Sequence, residues 1–390
     1  MINEEGRHSN TVINDALEKY SDASPRDKAL FVRLVHGTLE YQIRIDYVID
    51  LFSKVRTSAM RPLIRNLLRL SVYQMMFTDK IPDSAICDEA VKIVKKTSLR
   101  NLSGFVNGVL RNIARNRKDI TVNDKNIMYS VPEWLRKLLC ETVGEENCDR
   151  FLEYSLASHG VSVRRIGTDD VYILEDASGL TELPEWKSGE IIVQDYSASL
   201  PVIMADIKKG QVVLDVCASP GGKSIQAAEK TGIDGKVISC DISEKKAEKI
   251  RENIARTGIQ NVEIRIQDAA KRDDSLIESA DVVIADCPCS GIGTVSKKPE
   301  IKNRLSLKDC MALAGIQSDI LNNVCDYVKP CGRLIYSTCT LDHFENEDNV
   351  KKFLSLHPAF SLLEEKTMIP SVSSDRPFDG FYIAVLVKND

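Results

Sequence analysis

The feature that most constrains the fold is a regular alternation of short apolar runs with helical segments from about residue 191 onward. Each run is rich in Val and Ile and bounded by Gly, Pro or Asp, as in Val212–Cys217, Lys236–Asp241, Val262–Asp268, Val282–Asp286, Arg333–Ser337 and Phe381–Val387. These runs predict buried strands, because β-branched side chains pack well on a pleated surface. Strands separated by helices predict a doubly wound, Rossmann-like α/β sheet that is mostly parallel.

The first 125 residues follow a helical pattern. Apolar side chains recur every three or four positions in Asp27–Leu39, Leu63–Phe77, Ser84–Thr97 and Ser103–Arg115. Several short helices joined by polar loops predict an all-α domain. Its 21 Lys and Arg against 15 Asp and Glu give a net charge of +6, whereas the whole chain carries −5. This excess suggests an anionic partner such as RNA, although a solvated helical surface accounts for it equally well.

A small α+β module is expected between the helical domain and the α/β domain. A helix is predicted to start near Val131, and Val161–Ile166 and Val171–Leu174 have the composition of strands. Arg164 and Arg165 in the first of these strands are candidates for RNA contact or ordinary surface residues. We therefore expect three domains, at residues 1–125, 126–190 and 191–390.

The cysteine pattern and the absence of long apolar runs indicate the compartment. The eleven cysteines include no Cys-x-x-Cys pair of the kind that binds zinc or forms a redox site. Neither a signal peptide nor a run of about 20 apolar residues is present in the sequence. We expect reduced thiols, no metal, no membrane segment and a cytoplasmic protein.

A loop with two adjacent glycines follows the first strand of the α/β region: Cys217, Ala218, Ser219, Pro220, Gly221, Gly222 and Lys223. Adjacent glycines let a ligand approach the backbone where the next helix begins. Asp241 and Asp268 end the following two strands, where carboxylates can accept hydrogen bonds from a ribose hydroxyl and an adenine amino group. The set suits S-adenosylmethionine, although each acid taken alone could cap a helix. We expect the cofactor to contact residues 217–223, Asp241, Asp268 and Asp286.

Two further strands each end beside a cysteine. Cys289 follows the strand that ends at Asp286, and Cys339 follows the strand that ends at Ser337. If these strands are neighbours, their spacing of about 4.8 Å brings both thiols to within about 10 Å of each other, facing the cofactor. Two thiols at one ligand site indicate covalent catalysis more than packing.

A thiol at this position suits methylation of a pyrimidine ring. A thiolate that adds to C6 of cytosine converts C5 into a carbon that can attack the methyl donor. Asp286 could hydrogen-bond N3 if burial raises its pKa, and Lys223 is the candidate for lowering the pKa of the attacking thiol. A base must afterwards remove the C5 proton. This chemistry does not decide which of the two thiols attacks.

The combined motifs resemble those of RNA 5-methylcytosine methyltransferases. Asp286-Cys-Pro-Cys289-Ser-Gly together with Ser337-Thr-Cys339 is similar to the two-cysteine signature of that family, and residues 217–223 are similar to its cofactor loop. At the front of the chain, Gly104–Arg111 and Leu70–Met75 resemble the helical domain that NusB shares with the Sun/Fmu family of rRNA cytosine methyltransferases.

This resemblance implies a NusB-like first domain and a class I methyltransferase domain with a mostly parallel, seven-stranded sheet. It implies Cys339 as nucleophile, Cys289 as the group that assists product release, and S-adenosylmethionine as cofactor. The implied partner is 16S rRNA or a small-subunit assembly intermediate, and we expect a monomer. A tRNA cytosine methyltransferase and an RNA-binding assembly factor without activity are the alternatives.

Overall fold

The computed structural model describes residues 2–157, 159–175, 177 and 179–390. Contacts among these residues divide the chain into two compact units. The first unit contains the described residues up to Lys137 together with Val295–Arg304, and the second contains the described parts of Leu138–Thr294 and Leu305–Asp390. The three-domain division stays a prediction from the sequence.

The first unit is helical. Ser24 begins a helix in the expected way, because its side chain accepts a hydrogen bond from the Asp27 N–H at 3.1 Å. Pro62 likewise occupies the first turn of a helix, where its missing N–H is not needed. The helices from the amino terminus are α1 (Ile2–Glu5), α2 (Ser9–Lys19), α3 (Pro25–Glu40), α4 (Gln42–Phe52), α5 (Pro62–Phe77), α6 (Asp83–Lys95), α7 (Ser103–Asn116), α8 (Lys125–Met128) and α9 (Glu133–Val143).

The second unit contains a small antiparallel sheet. Among the described residues it has three strands, β1 (Val161–Arg165), β2 (Val171–Leu174) and β3 (Ile191–Val193), in the order β2-β1-β3. The expectation that Arg164 contacts RNA is wrong. Its side chain is fully buried, where its guanidinium donates to Gln194 Oε1 at 2.7 Å and to Glu229 at 2.8 Å. Burial with a carboxylate partner makes it a structural residue.

The larger sheet organises the rest of the second unit. Seven strands of the described chain take the order β6-β5-β4-β7-β8-β10-β9, and all pairings are parallel except those of β10 with its two neighbours. These strands are β4 (Val212–Asp215), β5 (Lys236–Asp241), β6 (Val262–Ile266), β7 (Ala280–Asp286), β8 (Val328–Thr338), β9 (Phe360–Met368) and β10 (Phe381–Lys388). The Rossmann-like, mostly parallel sheet expected from the sequence is confirmed.

Helices and apolar clusters cover both faces of this sheet. Along β10, Tyr382 and Leu386 belong to one buried cluster, while Ile383 and Val385 belong to the other. This alternation follows from the two-residue period of a strand, and burial on both faces explains why the strands are almost wholly apolar. The remaining helices are α10 (Glu145–Ser155), α11 (Pro184–Lys187), α12 (Tyr196–Met204), α13 (Gly222–Thr231), α14 (Glu244–Thr257), α15 (Ile301–Arg304, in the first unit), α16 (Leu307–Val324) and α17 (Glu347–Leu356).

Strand β9 was not located from the sequence. It is an edge strand, and most of its residues, including Glu364, Glu365 and Lys366, are exposed. Charged side chains on an edge hinder pairing with another chain, but they also remove the apolar pattern that reveals a strand.

None of the helices in the described residues has the length and apolar character needed to span a membrane.

Candidate active site

The two thiols singled out above meet at the carboxyl edge of the larger sheet. Strands β7 and β8 are parallel neighbours in which Asp286 pairs with Ser337, so the loops that follow them leave the sheet side by side. Cys289 lies three residues beyond one strand, and Cys339 lies one residue beyond the other. Their Sγ atoms are 3.2 Å apart. The expectation that both thiols reach one small volume is confirmed.

The surroundings of Cys289 disfavour its thiolate. A hydrogen bond with Cys339 raises the pKa of Cys289 well above its ordinary value, and burial raises it further. The charges of Cys339, Glu345 and Asp286 act in the same direction. When one of the two thiols loses its proton, the other can donate a hydrogen bond to the resulting thiolate across this contact.

An ion pair lies beside the thiols. Lys223 Nζ is 2.6 Å from Asp286 Oδ2, and the Ser337 hydroxyl donates to Asp286 Oδ1 at 2.8 Å. Burial by itself lowers the pKa of Lys223, but the charge and hydrogen bond of Asp286, aided by Asp215 and Cys339, raise it above its ordinary value. Lys223 is therefore an ammonium group whose field acts on Cys339.

The glycine loop is held in a tight conformation between β4 and α13. Gly221 has φ of +104°, and a Cβ there would lie 3.3 Å from Ile250 Cγ2. The Ala218 N–H donates to Cys240 O at 2.9 Å, which ties the loop to β5. A left-handed conformation beside a close neighbour favours glycine, and it turns the chain into α13 at Gly222.

The two sequence-predicted acids occupy different environments. Asp241 ends β5 and is almost fully buried, and its carboxylate accepts from the Ser219 N–H at 2.9 Å and the Ile242 N–H at 2.7 Å. Asp268 follows β6, and 29% of its side chain is exposed. Carboxylate oxygens each accept more than one hydrogen bond, so both acids retain acceptor capacity toward a ligand.

The glycine loop and these carboxylates suit the binding of S-adenosylmethionine. The loop turns at Gly221 into the start of a helix, and carboxylates lie at the ends of successive strands. These groups can pair with the hydroxyl and amino groups of a nucleoside. The side chain of Asp286 is 28% exposed, so it can face a ligand while it holds Lys223.

Both the first and the second part of the chain match known protein families. Residues 202–386 match the family described as 16S rRNA methyltransferase RsmB/F, and residues 2–115 match the NusB family. A protein from Bacillus subtilis named probable ribosomal RNA small subunit methyltransferase B is 32% identical, over 98% of this chain and 95% of its own length. The chain belongs to the RsmB/F family of 16S rRNA methyltransferases. Members of this family use S-adenosylmethionine, and the chain is a methyltransferase of that kind.

Further known proteins align with nearly all or about two thirds of the chain. A protein of the same name from Synechocystis is 28% identical to this RsmB/F family member, over 99% of this chain and 97% of its own length. The crystal structure of PH0851 aligns with a TM-score of 0.77 at 24% identity, over 96% of this chain and 93% of that one. NSun6 from Pyrococcus horikoshii, solved with SFG, aligns with a TM-score of 0.57 at 19% identity, over 66% and 98% of the two chains. These structures share the fold.

One acidic residue of this RsmB/F family member was missed in the sequence. Asp215 ends β4 directly before the glycine loop, and burial raises its pKa to about 7. Its Oδ2 accepts from the Ser224 hydroxyl at 2.7 Å, while Oδ1 is buried without a hydrogen-bond partner in the described chain. Its position at a strand end, like those of Asp241 and Asp286, was the signal that could have identified it.

A second missed group follows Cys339. Glu345 is buried, and its Oε2 accepts from the Ser290 N–H at 2.9 Å, directly after Cys289. Burial raises its pKa to about 7. The sequence around Glu345 is typical of a polar helix start, so it does not indicate that this carboxylate is buried.

Proposed function

We propose that this methyltransferase transfers a methyl group to C5 of a cytosine in small-subunit rRNA, with Cys339 as nucleophile and Cys289 assisting product release. The observation that carries the proposal is the contact of the two thiols, 3.2 Å apart, beside the Lys223–Asp286 ion pair. A packing role alone gives no reason for two thiols and an ion pair to gather at the ligand edge of a sheet.

The first step is addition of the Cys339 thiolate to C6 of the target cytosine. A bond forms between sulfur and C6, and the electron pair of the C5–C6 double bond makes C5 nucleophilic. Lys223 stabilises the thiolate through its positive charge, and the Cys289 thiol, 3.2 Å away, can donate a hydrogen bond to it. Both effects favour Cys339 as the attacking thiol.

N3 of the ring must receive a hydrogen bond or a proton while the adduct exists. Both oxygens of Asp286 accept hydrogen bonds, one from Lys223 and one from Ser337. Asp286 was the residue predicted for this role. Because both of its oxygens already accept hydrogen bonds, we propose instead that the ammonium of Lys223 donates to N3 while Asp286 holds it in position. A positioned proton donor contributes a factor of about 10² to 10⁴ in rate.

S-adenosylmethionine supplies the electrophilic methyl group. We propose that Cys217, Ala218, Ser219, Pro220, Gly221, Gly222, Lys223, Asp241, Asp268 and Asp286 hold it. Once C5 carries the methyl group, its proton must leave so that the electron pair can restore the double bond and release the Cys339 sulfur. Cys289 Sγ lies 3.2 Å from the Cys339 sulfur. Once its own proton has passed to solvent, the Cys289 thiolate accepts the C5 proton as the bond between C6 and the Cys339 sulfur breaks.

The substrate assignment rests on the helical unit and on the relatives. Residues 1–125 carry a net charge of +6, which favours contact with a phosphate backbone. The relatives from Bacillus subtilis and Synechocystis are named as acting on the small ribosomal subunit. The target base must be unpaired or flipped out, because C6 is not accessible in a stacked helix. A cytoplasmic location and a monomeric state remain predictions.

The test compares two single substitutions. With S-adenosylmethionine and small-subunit rRNA lacking the modification, Cys339→Ala should abolish formation of 5-methylcytosine. Cys289→Ala should instead accumulate a covalent protein–RNA adduct, because attack and methylation proceed but release fails. Mass spectrometry of digested RNA measures the first outcome, and denaturing gel electrophoresis measures the second.

The matched control is Cys140→Ala, which removes a thiol from helix α9. It should retain wild-type methylation and form no adduct. Absence of an adduct with Cys289→Ala, under conditions where the wild type methylates, would refute the division of labour between the thiols.

A further inference from the structure

A pair of buried acids lies behind the thiols and is not used in the chemistry above. Asp342 and Glu345 belong to the loop between β8 and α17, and both side chains are fully inaccessible to solvent. Their carboxylate oxygens and Cys310 Sγ lie within 4.8 Å of one another. Two acids this close, in a dry site, cannot both be ionised without strong repulsion.

Each acid has one oxygen with a donor and one without. Glu345 Oε2 accepts from the Ser290 N–H at 2.9 Å and from Gln317 Nε2 at 2.7 Å, and Asp342 Oδ1 accepts from the Phe344 N–H at 2.9 Å. Glu345 Oε1 and Asp342 Oδ2 are buried and have no hydrogen-bond partner among the described residues. A proton held between the two acids would make one carboxyl group a hydrogen-bond donor to the other, which lowers the cost of burying the unpaired oxygens.

We propose that Asp342 and Glu345 share one proton, and that this protonated pair positions the loop that carries Cys289. The link to the loop is direct, because Glu345 accepts from the residue after Cys289 and Gln317 donates both to Glu345 and, at 2.8 Å, to Pro288 O. The consequence for methyl transfer rests on the proposed function, whereas the shared proton does not. Asp342 and Glu345 are thus positioning residues.

Other titratable groups face the pair from each element around it. Cys310 contributes a thiol from α16, Tyr336 a hydroxyl from β8 and Cys289 a thiol from the β7 loop, while His343 lies next to Asp342 in the same loop. Burial, followed by the charges of Asp342 and Glu345, raises the pKa of Cys310. The thiol therefore keeps its proton and adds no negative charge near the acids.

Loss of the shared proton should affect Cys289 in two ways. Two adjacent carboxylates repel each other, which displaces the acceptor that holds the Ser290 N–H. The negative charge of Glu345 also raises the pKa of Cys289, so an additional charge on the pair disfavours its thiolate further. The wild-type enzyme should therefore lose activity at alkaline pH as the pair ionises.

The decisive substitution is Asp342→Asn, because an amide N–H donates permanently where the proton stood. Glu345→Gln makes the reciprocal change and serves if the first variant does not fold. Asp348→Asn, at an exposed position in α17, is the matched control. All variants are full-length chains.

The shared proton can be measured in the absence of RNA and S-adenosylmethionine. Infrared difference spectra between the wild type and Asp342→Asn should contain the carbonyl band of a protonated carboxyl group, which disappears as pH rises, and Asp348→Asn should match the wild type. Between pH 5 and 7 the unfolding equilibrium constant of the wild type should rise by about tenfold per pH unit relative to Asp342→Asn, as one additional bound proton requires. Parallel unfolding profiles or the absence of the band would overturn the proposal.

The positioning role has its own readout. In the pH profile of methyl transfer, the alkaline fall of the wild type should move to higher pH or vanish in Asp342→Asn. An unchanged profile would overturn the positioning role even if the proton is found. A divalent metal that copurifies in stoichiometric amount and is lost in Asp342→Asn would replace the proton with a cation and also overturn the proposal. Infrared and unfolding results as expected, without methylation at any pH, would contradict only the proposed function.

Discussion

Asp215 provides a quantitative test of the electrostatics of this site. Burial raises its pKa to about 7, against an ordinary value of 3.8, and neither the Ser224 hydrogen bond nor the charge of Lys223 offsets that effect. Between these two values the folded protein binds a proton that the unfolded chain has lost. The free energy of unfolding therefore falls as pH rises through this window and levels off above about pH 7.

The size of this effect follows from the pKa. Raising the pH from 5 to 8 crosses about two pH units below the folded pKa, and each unit corresponds to about 1.36 kcal/mol. Asp215 should thus lower the stability of the second unit by about 3 kcal/mol between pH 5 and pH 8. Asp215→Asn has no such proton, so its stability relative to the wild type should rise by about 3 kcal/mol over the same range.

Comparing the stability change of Asp215→Asn at two pH values cancels the cost of the substitution that does not depend on pH. An amide at this position has an N–H group to satisfy, which costs about 1 to 3 kcal/mol if it finds no acceptor. That cost is the same at both pH values and cancels. Urea denaturation at pH 5 and pH 8, combined with amide hydrogen exchange of β4, gives the stability of the region around Asp215 in each protein.

Asp234→Asn is the control, because Asp234 is an exposed acid in the turn before β5. Its stability relative to the wild type should be independent of pH to within about 0.5 kcal/mol. If Asp215→Asn and the wild type had parallel pH profiles, burial would not be what sets the ionisation of this carboxyl group.

Two further predictions concern the neighbours of the thiols. Lys223→Met should reduce methyl transfer by about 10² to 10⁴, because the thiolate and N3 both lose a cationic partner. Lys230→Met in the same helix, where the lysine pairs with Asp169, should retain activity when transfer of a radiolabelled methyl group to RNA is measured for both variants. Gly293→Ala should destabilise the protein by about 1 to 3 kcal/mol in urea denaturation, since a Cβ there would lie 1.9 Å from the backbone oxygen of Gly380. Gly315→Ala in α16, where nothing lies within 4 Å of the added Cβ, should stabilise by about 0.5 to 1 kcal/mol, and equal effects of the two substitutions would refute the packing argument.

Local patterns were sufficient to predict most elements of the fold. The strand runs around Leu214, Ile238 and Val283 are short, β-branched and apolar, because a parallel sheet covered on both faces buries every position. Helix starts at Ser24 and Pro62 were visible for a similarly local reason, since a cap or a proline acts within one turn. Strand β9 and the burial of Arg164 were not visible, because an exposed edge and an ion pair with Glu229, 65 residues away, depend on distant parts of the chain.

For the candidate site, the sequence by itself determined which side chains stand at or just after the ends of strands: Asp241, Asp286, Cys289 and Cys339. Parallel strands direct their carboxyl ends to one edge, so the residues that follow each strand can be named without coordinates. Only the tertiary structure decided which of them touch. The 3.2 Å contact of the two thiols, the ion pair of Lys223 with Asp286 and the hydrogen bond from the Ser290 N–H to buried Glu345 each join elements far apart in the chain. Distance and burial set the charges of these groups, and both arise only when the chain has folded.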